Sequence, residues 1–333
     1  MNIWCERGAY VSKRIRKKMT NFNPLSIKKI AVIRHAALGD MIITRVFLRE
    51  LKKFFPNAEV TFSMVDKYLY GKPEDLYDKE HVYYRKKGLL KKIESIKSLG
   101  KHDIIFDFAG TAASRYTVLF NKAEIKIGFP YEEFEQKLLY DIAIFRSDFH
   151  FEGELMLDAL KILGHKPDYP LNYELPKYKI PQKKIVYFFG ASVPNKQYPQ
   201  KMYYELIEKI SKKYKDYSHV LLEGKGLTEK FEDIPQNLIK KENVSIQTTL
   251  SLDELIKYLS EVRLCVSPDT GVRNVAIATH TPTVGIFYST VPYRYWPTYE
   301  NGHDAAFIRN GEIPSVEEVE KVIIKNLNTE IIR

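Results

Sequence analysis

The sequence predicts two open α/β domains, each a parallel sheet with helices packed against it. Three observations carry that prediction. Strand-length apolar runs alternate with helical patterns from residue 28 to residue 327, one proline-rich lapse divides the alternation, and 333 residues are enough for two ordinary cores. Neither a fixed-period repeat nor a low-complexity tract competes with this pattern.

The first βα unit is KIAVIR (29–34), a β-branched run, followed by a glycine-containing turn and the helical stretch 41–55, where Ile42, Val46, Leu48 and Leu51 recur at roughly helical spacing. AEVTFSMV (58–65) supplies the next strand. LLKKIESIKSL (89–99) then leads into DIIFDF (103–108), and SRYTVLF (114–120) into EIKIGF (124–129), as in parallel-sheet crossovers.

Between about 165 and 182, four prolines in eighteen residues break both periodicities and mark a linker. The alternation restarts with KIVYFFG (184–190), a helix over 201–214, and strands at 219–224 and 242–247. It continues through a helix at 251–262, RLCVSP (263–268), a helix over 270–280 and TVGIFYS (283–289). The expected layout is a basic N-terminal extension (1–27), an N-terminal domain (28–165), the linker (166–182), a C-terminal domain (183–312) and a terminal segment (313–333). In that last segment Ser315 and Glu318 form a capping-box pattern, and its helix is expected to pack back on the first domain. Two such sheets are expected to turn the carboxyl ends of their strands toward a shared cleft, the usual ligand site of this class.

Composition excludes several classes. Hydrophobic residues at 44% and charged residues at 28% argue against disorder. Cys5 and Cys265 are too few for a disulfide framework or a metal cluster and read as free thiols. No run reaches the roughly 18 apolar residues of a membrane span, and the start lacks the apolar core of a secretory signal, so a cytosolic location is expected. The net charge of +10 is lopsided: residues 1–180 hold 32 Lys and Arg against 23 Asp and Glu. Such a field suits an anionic partner.

Three strand-to-helix turns carry chemistry. In Arg34-His35-Ala36-Ala37-Leu38-Gly39-Asp40, Gly39 suits a tight turn and Asp40 falls near a helix N-terminus. Asp40 is either a plain N-cap or a carboxylate placed as a general base. In Ser267-Pro268-Asp269-Thr270-Gly271, the amides of Thr270, Gly271 and Val272 form an anion site at a helix start, or else Asp269 or Thr270 simply caps the helix. In the segment 190–199, Lys196 offers a point charge and Ser192 a hydroxyl to a phosphate, against the alternative of an ordinary surface lysine. His35 is a second base or an acceptor-orienting group, or a structural histidine.

Together these segments resemble the heptosyltransferase family, family nine of the glycosyltransferases. IAVIRHAALGDMIITRVFLRELKKFFPNAEVTF is similar to its opening, SPDTGVRNVAIATHTPTVGIFYST to its Asp-Thr-Gly donor segment, and NKQYP to its Lys-x-aromatic-Pro segment, over about residues 28 to 310. The resemblance implies a GT-B architecture, two Rossmann-like βα domains facing a central cleft. It implies an inverting transfer of heptose from ADP-heptose to the Kdo-lipid A inner core of lipopolysaccharide. It also implies Asp40 as catalytic base, Arg34 and Gly39 on the acceptor side, and Ser192, Lys196, Asp269, Thr270, Gly271, Val272 and Arg273 around the donor phosphates. Glu229 matches an acidic position that would hydrogen-bond a donor ribose or sugar, with an exposed helix glutamate as the alternative.

Two departures leave a second reading open. Gly271 is followed by Val272, Arg273 and Asn274, without the family's donor-side histidine, and Ser289-Thr290-Val291-Pro292 lacks its aspartate. A relative using another sugar nucleotide, or a later core or capsule acceptor, therefore remains the alternative. Arg273 either strengthens leaving-group binding or lies on an exposed helix face. No Asp-x-Asp triplet occurs, so no metal or other cofactor is expected. The basic stretches 13–18 and 84–101 would draw a phosphorylated glycolipid or an anionic membrane surface, giving a peripheral location at the inner face of the inner membrane. Trp4, Val11, Ile15 and Met19 would form an interfacial stripe. A nucleic-acid partner is not expected, because the aromatic residues fall mostly within strand and helix periodicities.

Overall fold

Val-, Ile- and Phe-rich runs build two separate sheets. The computed structural model describes residues 8–130, 138–177, 182–191 and 193–329. It comprises two units, Met1–Ser147 with Glu152–Leu171, and Asp148–Phe151 with Asn172–Arg333.

In the first unit the strands are β1 (Ala9–Val11), β2 (Lys29–Ile33), β3 (Glu59–Val65), β4 (Lys79–Tyr83), β5 (His102–Asp107), β6 (Ala123–Gly128) and β7 (Ile142–Ile144). The helices are α1 (Lys13–Met19), α2 (Leu38–Phe54), α3 (Leu89–Lys97), α4 (Ala112–Phe120) and α5 (Glu152–Ile162). The sheet order is β1-β7-β6-β5-β2-β3-β4, parallel except for β1. Alternation along the central strands sorts the core. Ala31, Ile33 and Ile105 pack on one face with Val118 and Leu99, whereas Phe106 on the other face meets Phe47 of α2 edge-on at 5.1 Å.

The chain leaves the first sheet's centre twice. Strands β2 to β4 run outward one way and β5 to β7 the other, so the topological switch point lies between β2 and β5.

The second unit repeats the plan. Its strands are β8 (Gln182–Tyr187), β9 (Ser218–Leu222), β10 (Val244–Gln247), β11 (Val262–Pro268), β12 (Thr283–Phe287) and β13 (His303–Phe307). Its helices are α6 (Gln200–Lys213), α7 (Gln236–Ile239), α8 (Leu252–Leu259), α9 (Gly271–Ala278) and α10 (Val316–Asn328). The order β10-β9-β8-β11-β12-β13 is wholly parallel and places the switch point between β8 and β11. The core on one face joins Ile185, Leu264, Val266 and Val284 to Leu206 and Ile210 of α6.

Two expectations are corrected. The capping box at Ser315 and Glu318 forms as read, but Val316, Val319 and Ile323 of α10 belong to the second unit's core. Arg263 further donates to the Asn326 and Leu327 carbonyls at the helix end, so this helix completes its own domain. Nor are residues 8–27 a detached basic extension. β1 pairs with β7, Arg14 meets Asp141 at 2.6 Å, and Ile15 is fully buried. Ile15 therefore serves the first core, and no stripe through it is available to a membrane; Trp4 and Cys5 lie outside the described residues.

Candidate active site

At the first switch point the backbone turns at Ala36 and Ala37, where the Ala36 amide donates to the Arg34 carbonyl at 3.0 Å. The N-cap of α2 is Ala37, which has no side-chain cap; Gly39 is already helical and buried, so it is not the tight turn expected of it. Asp40 sits one position further along the first turn. Its Oδ1 accepts from Arg34 Nη2 at 3.2 Å, and its side chain is 23% exposed.

Arg34 is the hub. Its side chain is buried, Nη1 donates to the Phe108 carbonyl beyond β5 at 2.5 Å, and Nη2 donates to Glu152 Oε1 at 2.9 Å. The loops after the two central strands are thus tied by one guanidinium. Glu152, wholly buried at the start of α5, also accepts from Arg146 Nη2 at 2.7 Å. Its carboxylate lies between two guanidinium groups, which offsets the desolvation of all three side chains.

His35 is buried beside this hub. Its Nε2 meets Ser63 Oγ at 3.0 Å, Ser63 Oγ meets His81 Nδ1 at 2.8 Å, and His81 Nε2 meets the Ser95 carbonyl at 2.7 Å. A carbonyl only accepts, so His81 is protonated on Nε2, Ser63 donates to its Nδ1, and His35 donates from Nε2. His35 Nδ1 is then a buried lone pair with no partner among the described residues. Burial, aided by His81, pushes His35 down to about 3. It is held neutral, stacked on Tyr83 at 5.3 Å.

The second switch point gathers Lys196, Asp269, Thr270, Gly271 and Val272. Thr270, not Asp269, is the N-cap of α9: its Oγ1 accepts from the Arg273 amide at 3.4 Å and bonds Ser267 Oγ at 2.9 Å. Asp269 is left to pair with Lys196 Nζ at 2.6 Å and to accept from Thr290 Oγ1 at 3.1 Å. The amides of Gly271 and Val272 make no hydrogen bond among the described residues and lie in the helix's first turn. Helix start, free amides and a lysine at one strand end suit an anionic group. Ser192 lies outside the described residues.

Arg273 lies neither on an exposed face nor at the surface of the turn. It is wholly buried, with its guanidinium 5.0 Å over the Phe287 ring and Nη1 donating to the Tyr295 carbonyl at 2.6 Å. Gly285 makes the room, since a Cβ there would come within 2.5 Å of Arg273 Nε. Burial lowers its guanidinium to about 10 against the pull of Asp269.

Glu229 is not an exposed helix residue either. It closes a short 3-10 turn by accepting from the Gly226 amide at 2.9 Å. A Cβ at Gly190 would come within 2.8 Å of its Cγ, and one at Gly224 within 2.8 Å of its Cδ. Two glycines at the ends of β8 and β9 thus leave room for this carboxylate beside the Lys196 loop. Arg146 and Glu152 are the partners around Arg34 that sequence reading missed. Glu152 stands 118 residues from Arg34, and only its acidic position in a helix's first turn signalled it.

Two Rossmann-like sheets, each with polar side chains gathered at its switch point, are the fold of the GT-B class, which fixes an architecture and not by itself an activity. The comparisons narrow the class. Residues 93–323 match the family model of glycosyltransferase family 9 (heptosyltransferase), and the chain belongs to that family. It is 28% identical over 300 residues to lipopolysaccharide heptosyltransferase 1 of Campylobacter coli, covering 80% of this chain and 85% of that one. Among solved structures, the family 9 glycosyltransferase of Veillonella parvula gives a TM-score of 0.70 at 19% identity, covering 90% of this chain and 97% of that one. E. coli heptosyltransferase WaaC, solved with ADP-2-deoxy-2-fluoro heptose, gives 0.68 at 16%, covering 90% and 99%. These two likenesses concern the fold.

Proposed function

We propose that the protein transfers a heptose from ADP-heptose, with inversion and without a metal ion, to the Kdo-lipid A inner core of lipopolysaccharide. The observation that carries this reading is the placement of Asp40 in the first turn of α2, partly exposed and paired with Arg34 at the first switch point. Asp40 takes the proton of the acceptor hydroxyl as that oxygen attacks the anomeric carbon. The bond to the diphosphate breaks, and ADP leaves toward Lys196 and the Gly271 and Val272 amides, with buried Arg273 adding its field from beneath the turn. Glu229 hydrogen-bonds the ribose or the sugar of the donor. The acceptor is lipid-anchored, so the enzyme works peripherally at an anionic membrane face on the cytoplasmic side, with no nucleic-acid partner.

Incubation with ADP-heptose and deacylated Kdo-lipid A, followed by mass spectrometry, tests the reading. A one-heptose increment is expected. Transfer only from another sugar nucleotide would overturn the donor assignment, an outcome that the Val272-Arg273-Asn274 sequence makes worth screening: Asn274 Oδ1 is buried without a partner among the described residues.

A further inference from the structure

The basic stretch around residue 90 folds into something its charge alone does not describe. α3 and α4 lie side by side on one face of the first sheet, with Val118 of α4 and Leu99, just past the end of α3, in the core beneath. Their outward side is also apolar. Leu89 and Leu90 are 73% and 84% exposed, Ile93 less so, and on α4 Tyr116, Leu119 and Phe120 are each more than half exposed. Tyr116 and Phe120 stack one turn apart, and Lys97 of α3 reaches over the Phe120 ring at 5.6 Å, joining the two helices into one surface.

Cations frame that surface. Residues 85–101 carry Arg85, Lys86, Lys87, Lys91, Lys92, Lys97 and Lys101 against Glu94 alone, and 109–122 add Arg115 and Lys122 with no acid. Exposed leucines and aromatic rings ringed by lysines are the composition of an interfacial surface, apolar groups entering the acyl boundary while ammonium groups meet lipid phosphates. The same charge opposes a second copy of this face. None of the described helices is long and apolar enough to cross a membrane.

Position agrees with the chemistry. Helices in parallel crossovers start at the carboxyl ends of the strands, so Leu89 and Leu90 lie at the end of the sheet where Arg34 and Asp40 sit. Tyr83 stacks on His35, and the next residue, Tyr84, faces Lys91 of α3 at 5.5 Å. We infer that the outer face of α3 and α4 docks the first domain onto an anionic phospholipid surface, with the Asp40 end of the sheet presented to it. This rests on the reading that the acceptor is a membrane glycolipid.

The test is co-sedimentation with vesicles of phosphatidylethanolamine and phosphatidylglycerol, and of phosphatidylcholine alone, free of glycolipid. The wild type is expected to bind the anionic vesicles, weakly at high salt, and to ignore the neutral ones. The double variants Leu89→Ser/Leu90→Ser and Leu119→Ser/Phe120→Ser should each bind at least about tenfold more weakly, as should Lys91→Glu/Lys92→Glu. Lys212→Glu/Lys215→Glu, on the second unit, should bind as the wild type does. Circular dichroism melts report folding, and all four variants should keep wild-type transfer to deacylated acceptor. Surface variants that bind like the wild type overturn the inference. So does a wild type that stays in the supernatant, or a wild-type dimer that the Leu→Ser variants dissociate. Vesicle binding without sugar transfer would leave this surface standing and remove the proposed reaction instead.

Discussion

The two sheets share a layout and differ in what they place at the point where strand order reverses. In the first, a buried cation, Arg34, ties the loops after β2 and β5 and turns a carboxylate outward. In the second, a carboxylate, Asp269, ties the loops after β8 and β11 by holding Lys196. One topology thus yields a site organised around an arginine and another organised around an aspartate, and the polarity follows from the side chain used as the tie. The first arrangement suits removal of a proton; the second, with its helix amides, suits acceptance of negative charge.

The sharpest way to break this comparison is Asp40→Ala. Turnover should fall by roughly 10² to 10⁴ while donor affinity, measured by isothermal titration, stays near wild type. A matching loss of donor affinity would erase the division of labour. Next in size is Glu152→Ala, which leaves Arg34 and Arg146 without their shared carboxylate. Urea unfolding should show a loss of about 3–5 kcal/mol, with a smaller loss for Glu152→Gln. Lys196→Ala should instead act on the donor, raising its Kd by about tenfold with little change in melting temperature.

The last effect is a slope, about 1.4 kcal/mol over any one pH unit. Because burial holds His35 at about 3 in the folded state, the unfolded chain takes up this proton first as pH falls. Stability is fully present above about pH 6.5 and declines toward pH 3 at roughly 1.4 kcal/mol per pH unit for this group. His35→Gln should flatten the dependence by that amount in urea titrations at several pH values.

Much of this was legible in the sequence because local rules governed it. β-branched runs became central strands, and Ser315 with Glu318 became a cap. The turn at 267–271 starts a helix with Thr270 as its cap, one of the two caps the sequence offered. Other features escaped because long-range packing decided them. β4 reads as charged, since an edge strand needs only His81 inward while Lys79 and Glu80 face water. Ile15 looked like part of a surface stripe, but pairing of β1 with β7 brings it inside. For Arg273 the sequence left a leaving-group charge and an exposed helix-face charge both open, and only the absence of a side chain at Gly285, twelve residues on, reveals the space it fills. Glu152 entered the site through Arg34, a pairing that local spacing does not encode.

The row of hydrogen bonds through Ser63 has a direction, and it is imposed from its far end. Because the Ser95 carbonyl can only receive, every proton along the row is committed, down to the bare nitrogen on His35. Ser95 belongs to α3. A single peptide oxygen on the inner side of that helix therefore dictates which edge of an imidazole, five residues before Asp40, is left open to receive a hydroxyl or amide proton.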